Sequence, residues 1–109
     1  MKAKGNSGWI DDILGEVRKY VVARKYRITN HAQERQEKHK ITLPDLLFVL
    51  SNGFHEKDKT LFDNVFQTWK YAIRGKTIDR TEELRVIVAF EGEMAIVTII
   101  RLNKKKERK

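Results

Sequence analysis

The chain has 109 residues, no cysteine and a formal net charge of +8 at pH 7. This length is typical of one domain, and the absence of cysteine excludes disulfide bonds and thiolate metal sites. No apolar run approaches the roughly 18 residues of a membrane span, so we expect a cytoplasmic protein without membrane contact. The positive charge favours an anionic partner, because lysine and arginine displace the counterions of a phosphate backbone.

The basic excess is concentrated at the two ends of the chain. Residues 1–8 carry +2 and residues 104–109 carry +4, which leaves +2 for the rest. We therefore predict a flexible lead over residues 1–8, a single domain over residues 9–103 and a basic tail over residues 104–109. The tail either contacts a polyanion or is only a solvated segment.

Two helices with an apolar face are predicted. Apolar residues recur at spacings of three and four from Trp9 to Val21, which predicts a core-packing helix with Ser7 available as its cap. Thr42 is suited to cap a second apolar helix, which ends at Asn52-Gly53. We expect this pair to supply a left-handed stop.

A polar helix is predicted between these two. Residues 26–29 alternate as a short strand does, and Asn30 with Gln33 has the spacing of a capping box. The helix should then run from His31 to about Lys38. Only Ala32 in this segment is apolar, so a hydrophobic face cannot hold the helix in place.

The second half of the chain is predicted to form a sheet. After Gly53 the apolar period changes to two, with candidate strands at residues 54–59, 66–74, 84–91 and 94–102. Glu91-Gly92-Glu93 predicts a tight hairpin, and the apolar run 95–100 predicts a central strand covered on both faces. The expected fold class is α+β, with N-terminal helices packed on a mainly antiparallel sheet.

His31 and Arg35 are the first candidates for chemistry. They lie four residues apart and share one helix face, with Lys38 and His39 one turn further along. An imidazole transfers protons near neutral pH, and a guanidinium holds phosphate oxygens. Together they suit RNA cleavage by 2′-hydroxyl attack, which needs no metal. The alternative is that both only form hydrogen bonds at a helix–sheet junction.

Three arginines fall in or at the ends of predicted strands. Arg74, Arg85 and Arg101 would form a phosphate-binding patch if they converge on one sheet face, and Arg74 precedes Gly75, where backbone can approach a ligand closely. The alternative for each is an exposed arginine that opposes edge-to-edge aggregation. The candidate catalytic residues are therefore His31, Arg35, Arg74 and Arg101.

Aromatic and basic side chains add candidates for RNA binding. Trp69 and Tyr71 share one strand face and would stack on unpaired bases unless they belong to the core. The complete set of RNA-binding candidates is Lys38, His39, Trp69, Tyr71, Arg85, Lys104, Lys105 and Lys106.

Other kinds of site are not indicated. Glu34, Glu37, Glu56 and Asp79 are in principle catalytic bases, but they are isolated carboxylates in charged segments and we expect them to be solvated. The spacing of His31, His39 and His55 completes no tetrahedral metal set, and no glycine-rich phosphate loop is present. We therefore predict no metal and no small-molecule cofactor.

The string Tyr-Arg-Ile-Thr-Asn-His-Ala-Gln-Glu-Arg over residues 26–35, followed by residues 40–53, resembles a known pattern. It is similar to an uncharacterised bacterial family, a domain of unknown function, whose members carry a Thr-x-His-Ala-x-x-Arg start. The resemblance continues to residue 101 and omits the helix predicted from Trp9 to Val22. That family resembles the BrnT and RelE toxins in its order of elements, which implies a toxin-like fold neutralised by an antitoxin protein.

This resemblance points to the same His31, Arg35, Arg74 and Arg101. It implies a toxin-like, metal-independent endoribonuclease of the mRNA interferase type, whose substrate is RNA, including ribosome-bound mRNA. Two alternatives stay open. One is a non-catalytic RNA-binding or ribosome-associated module, and the other is a protein-interaction domain that pairs with an antitoxin.

Overall fold

A computed structural model describes residues 8–102, which contain three helices and six strands. The helices are α1 (Ile13–Ala23), α2 (Asn30–Lys38) and α3 (Leu43–Asn52). The strands are β1 (Tyr26–Ile28), β2 (Phe54–His55), β3 (Leu61–Asp63), β4 (Thr68–Lys76), β5 (Glu83–Glu91) and β6 (Glu93–Arg101). The predicted lead, apart from Gly8, and the predicted tail with Lys104, Lys105 and Lys106 lie outside the described residues.

The strands form one mainly antiparallel sheet in the order β1-β6-β5-β4-β2, with β3 paired to the first part of β4. Only the short β1 is parallel to its neighbour, β6. Gly92, with φ 85°, forms the predicted tight turn between β5 and β6. The expected α+β class, with helices on a mainly antiparallel sheet, is confirmed.

The three helices share one buried cluster with alternate residues of the strands, which defines the helix face of the sheet. Helix α1 contributes Ile13 and Val17, whereas α3 contributes Leu46, Val49 and Leu50. The opposite face, here called the far face, is less covered. Strand β6 is internal, but its residues Val97 and Ile100 are only half-buried. The expectation that β6 is covered on both faces is therefore wrong.

Helix α1 begins later than the apolar spacing predicts. Its cap is Asp12, whose carboxylate accepts a hydrogen bond from the Gly15 N–H at 3.1 Å. Trp9 lies before the helix and packs its ring at 4.7 Å from that of Trp69 and 5.4 Å from that of Tyr71. Position 9 is thus occupied by an apolar residue because its side chain covers the sheet, and not because it lies on the apolar face of a helix.

Helix α3 does not end in the left-handed conformation that was expected at Asn52-Gly53. Gly53 has φ −82° and ψ −168°, which is extended backbone. Position 53 requires glycine for a different reason. A Cβ atom added there would lie 2.5 Å from the carbonyl oxygen of Arg74. Gly75 in turn faces the Cα of Gly53, so the close approach expected there is to the chain itself and not to a ligand.

Of the two strands predicted first in the sheet, one is divided and the other is shifted by two residues. The segment 54–59 forms β2 and then a 3-10 turn at Lys57–Lys59. The segment 66–74 begins only at Thr68, because Asp63 accepts hydrogen bonds from the N–H groups of Val65 and Phe66 and so forms the β3–β4 turn. No helix within residues 8–102 is long and apolar enough to cross a membrane.

Candidate functional site

Helix α2 is held against β6 by side chains that bond to the strand. Its only buried residue is Ala32, which is fully buried and lets the helix approach closely. Strand β1 pairs with β6 only as far as Ile96, so the β6 edge beyond that point exposes backbone carbonyl groups. We call the contact between α2, with its cap Thr29, and residues 96–101 of β6 the α2–β6 seam.

Thr29 begins the seam and corrects the predicted cap. Its hydroxyl oxygen accepts from the Ala32 N–H and lies 3.1 Å from the carbonyl oxygens of both Ile96 and Val97, to one of which it donates. Asn30 is therefore inside the helix and not its cap. One threonine side chain thus starts the helix and fixes its position on the strand.

His31 and Arg35 lie four residues apart on one face of α2, and His39 is the C-cap of this helix. The exposed His31 places Nε2 at 3.0 Å from the Thr98 hydroxyl oxygen, and Arg35 donates from Nε to the Ile99 carbonyl at 3.1 Å. Arg101 closes the seam by donating from Nη2 to the His39 carbonyl oxygen. The contact of Arg35 with a backbone carbonyl is the kind of contact that the structural alternative predicts for this residue.

Arg74 and Arg85 lie in a different part of the sheet. They are cross-strand partners on the far face, and both bind the carboxylate of Glu56. Arg85 donates from Nε at 2.6 Å and from Nη2 at 3.0 Å, whereas Arg74 donates from Nη1 at 2.9 Å and binds Glu83 through Nε and Nη2. We call these four side chains the Arg–Glu cluster.

The Arg–Glu cluster contains two positive and two negative side chains, so its arginines are already neutralised. Glu56 is only 8% exposed, and hydrogen bonds, chiefly from Arg85 and also from Arg74, lower its pKa to about 2. Arg74 likewise lowers the pKa of Glu83, and these carboxylates raise the pKa of both arginines. A phosphate could bind here only by competing with a buried, well-bonded carboxylate.

The structure therefore divides the four catalytic candidates between two places. His31, Arg35 and Arg101 belong to the α2–β6 seam, whereas Arg74 belongs to the Arg–Glu cluster. Two strand spacings and two residues of rise separate the Cα atoms of Thr98 and Arg74, which is about 12 Å. Arg101 lies opposite Leu84 and so extends from the helix face, away from Arg74. The expected convergence of the arginines on one face holds only for Arg74 and Arg85.

The aromatic candidates for base stacking belong mainly to the core. Tyr71 is only 2% exposed, and its hydroxyl accepts from the Ile10 N–H at 2.8 Å and donates to the Gly8 carbonyl at 3.3 Å. Trp69 packs between Trp9 and Phe62. Tyr71 is thus unavailable to a nucleic acid, and the core alternative is confirmed for it. Lys38 is exposed and His39 is partly buried at the end of α2.

The roles of Glu56, Glu83, Thr29 and Thr98 in the two sites were missed by the sequence analysis. The expectation that Glu56 is solvated is wrong, because β2 places it beside β4, where its N–H bonds the Ala72 carbonyl and its side chain meets two arginines. The alternation Phe54, His55, Glu56 was the available signal, since it places Glu56 on the same face as Phe54. Thr98 stood out only as the one hydroxyl in an apolar strand.

Comparison with known proteins gives the family and little else. No curated protein and no solved structure matches the chain. Within residues 8–102, no three histidine, aspartate or glutamate side chains group in the way a metal ion requires. One family model matches residues 28–101, which excludes α1 but includes the α2–β6 seam and the Arg–Glu cluster. The chain belongs to the family described as Domain of unknown function (DUF4258).

Proposed function

We propose that this domain binds RNA, and that the C-terminal ends of α2 and β6 form its phosphate-binding surface. The observation that carries the proposal is the contact between Arg101 and the His39 carbonyl, because it places the end of β6 beside the last turn of α2. Lys38 and Lys40 are exposed there. In the sequence, a basic run begins at Lys104, two residues after Leu102.

The proposal agrees with the distribution of charge. Residues 38–40 lie beside the end of β6, and the sequence that follows this strand is basic over residues 104–109. Arg101 is partly offset by Glu82, whose carboxylate oxygen lies 3.3 Å from its Nε, but the exposed Lys38 and Lys40 add to a positive surface. Such a surface binds phosphates without reading bases, so affinity should depend on salt more than on sequence.

Anisotropy of a labelled single-stranded RNA at several salt concentrations tests this surface. In the variant Lys38→Gln with Lys40→Gln, we expect the slope of log affinity against log salt to decrease by about 1.4, since each contact with a single strand contributes about 0.7. Lys57→Gln with Lys59→Gln removes the same charge at the same spacing from the 3-10 turn and should leave the slope unchanged. Equal effects of the two variants would contradict a defined surface.

Metal-independent cleavage by 2′-hydroxyl attack is the second function we propose. It is favoured by His31, which is exposed, lies on the same seam as the basic end and contacts a hydroxyl that can orient its ring. With EDTA present, the wild type should yield cyclic phosphate ends and His31→Ala should not. Arg74→Ala should retain cleavage, because Arg74 is engaged in the Arg–Glu cluster. The proposed assignment of this chain to the RelE-like and BrnT-like toxins, and to the mRNA interferase class, depends on whether this cleavage is observed.

A protein partner such as an antitoxin is a third proposal, and it is favoured by a specific apolar surface. The β3–β4 hairpin exposes Leu61, Val65 and Phe66, which are 67%, 83% and 68% accessible. Exposed apolar groups of this size are typical of contact surfaces. This hairpin is distinct from the α2–β6 seam, so substitutions in it should affect partner binding and leave RNA affinity unchanged.

A further inference from the structure

A cleft of about 440 Å³ opens where the C-terminal end of α3 meets β2 and β4. This volume falls within the range of small-molecule sites, roughly 300–1,000 Å³. The side chains that give the cleft its chemistry are Phe48, Phe54, Arg74, Lys76, Arg80 and Glu83. Three of them are cations and one is a carboxylate, so the lining is positive.

Two of the cations are available to a ligand. Glu56 and Glu83 hold Arg74, whereas no salt bridge engages Arg80 within residues 8–102, and Lys76 faces Glu83 across the β4–β5 pair. The side chains of Lys76 and Arg80 are both exposed. An anion in the cleft would therefore meet Arg80 directly and would share Lys76 with Glu83.

The backbone that carries Arg80 is fixed before any ligand binds. Asp79 accepts hydrogen bonds from the Thr77 hydroxyl and from both the N–H and the hydroxyl of Thr81. These bonds lower the pKa of Asp79, most of all the bond from the Thr81 N–H. The Ile78 N–H donates to the carboxylate of Asp45 on α3, which ties the turn to the helix beside the cleft. A fixed backbone at Arg80 leaves only the freedom of its side chain to be lost on binding.

Aromatic rings face the same space. Phe54 is the register partner of Arg74 and is 52% exposed. Phe48 adds a half-buried ring from α3. Exposed aromatic faces stack on bases of any sequence, and cations beside them hold phosphates.

We propose that this cleft binds a nucleoside monophosphate unit, with the phosphate between Lys76 and Arg80 and the base against Phe54. The unit comes either from a free nucleotide or from a phosphorylated end of RNA, and only the second source rests on the function proposed above. Gly75, Leu84 and Arg101 lie in one row across β4, β5 and β6, so the cleft shares the end of the sheet with the basic surface. A bound RNA strand therefore has access to both.

Calorimetry and amide-shift NMR with AMP, adenosine, ribose 5-phosphate and inorganic phosphate test the cleft. AMP should bind at least about tenfold more tightly than each of the others, with shifts at Gly53, Gly75 and Lys76. Arg80→Gln should weaken AMP binding severalfold, and Phe54→Ala about tenfold. Arg24→Gln is the matched control, since Arg24 is also an exposed arginine with a left-handed φ of 57°, and it should change nothing.

Ribose 5-phosphate binding as tightly as AMP, or AMP binding that is insensitive to Arg80→Gln, would overturn the proposal. An RNA hexamer with a 5′-phosphate, compared with one bearing a 5′-hydroxyl, separates the two sources of the ligand. AMP binding that survives in the Lys38→Gln, Lys40→Gln variant supports the cleft even if RNA affinity is lost. RNA affinity without AMP binding overturns the cleft and leaves the proposed RNA surface standing.

Discussion

Helices α2 and α3 lie against the same sheet but are attached by different interactions. Helix α3 buries Leu46, Val49 and Leu50, a non-directional contact that tolerates small rotations of the helix. Helix α2 buries only Ala32 and is held by hydrogen bonds from its side chains to β6. Thr29, His31 and Arg35, which carry the resemblance to the family, therefore help to attach α2 to β6. Experiments must separate this structural role from a role in function.

The largest expected effect comes from breaking the apolar attachment. Leu46→Ala should reduce the free energy of unfolding by about 2–5 kcal/mol, because Leu46 is fully buried and the substitution leaves a cavity. Urea unfolding followed by circular dichroism measures this. The matched control is Leu43→Ala in the first turn of the same helix, where the side chain is 39% exposed and the loss should be below about 1 kcal/mol. Equal losses would mean that α3 is not anchored as described.

The next effect comes from the Arg–Glu cluster, which holds β2 to β4 and β5. Glu56→Gln should cost about 3 kcal/mol at pH 7, since the pKa of Glu56 is about 2 in the fold against 4.5 when unperturbed. Because the folded pKa is the lower one, this stability is present above about pH 5 and is lost as the pH falls towards 2. The unfolding free energy of Glu56→Gln should therefore vary less with pH over that range.

Glu34→Gln on the exposed surface of α2 is the control for the loss of a carboxylate. Its stability at pH 7 should change by less than about 0.5 kcal/mol, because the side chain is exposed. A Glu56→Gln profile as steep as the wild type between pH 5 and pH 2 would show that Glu56 is not the group responsible.

The two helices have threonine caps, which permits a direct comparison. Thr42→Ala should cost α3 about 1 kcal/mol, because its hydroxyl accepts one bond from the Asp45 N–H. Thr29→Ala should cost about 2 kcal/mol, because the same side chain also bonds the β6 carbonyls. Hydrogen exchange should show faster opening of α2 in Thr29→Ala and of α3 in Thr42→Ala. Equal costs would argue that the seam adds little to the cap.

The fold was predictable to the extent that it follows from apolar spacing and from cap and turn residues. The helix-on-sheet class follows from periods of 3.6 and two, whereas the bounds of α3 follow from Thr42 and Asn52-Gly53 and the β5–β6 hairpin follows from Gly92. The sequence-based predictions were wrong where the residue type at a position is determined by a contact with a distant part of the chain. Trp9 is apolar for the sheet, and Gly53 is a glycine because β4 backbone passes beside it.

The site was less predictable, because the register of the strands determines which side chains lie close together. His31 with Arg35 follows from helical spacing alone, but the separation of Arg74 from Arg101 depends on which face each strand presents, and the bulge between Ile87 and Val88 alters that parity in β6. The net charge of a surface also depends on the ion-pair partners of its side chains, which the sequence does not reveal. Arg74 and Arg85 count as cations in the sequence, whereas Glu56 and Glu83 neutralise them in the fold.

The smallest expected effect is that of His31→Ala, and it is the most useful one. His31 is exposed and its contact with the Thr98 hydroxyl joins two side chains near water, so its loss should cost at most about 0.5–1 kcal/mol. A double-mutant cycle with Thr98→Ala measures the coupling, which should be no larger. Because the fold is expected to survive, loss of RNA cleavage in His31→Ala would reflect chemistry and not unfolding. A coupling above about 2 kcal/mol would instead place His31 among the structural residues of the seam, together with Thr29 and Arg35.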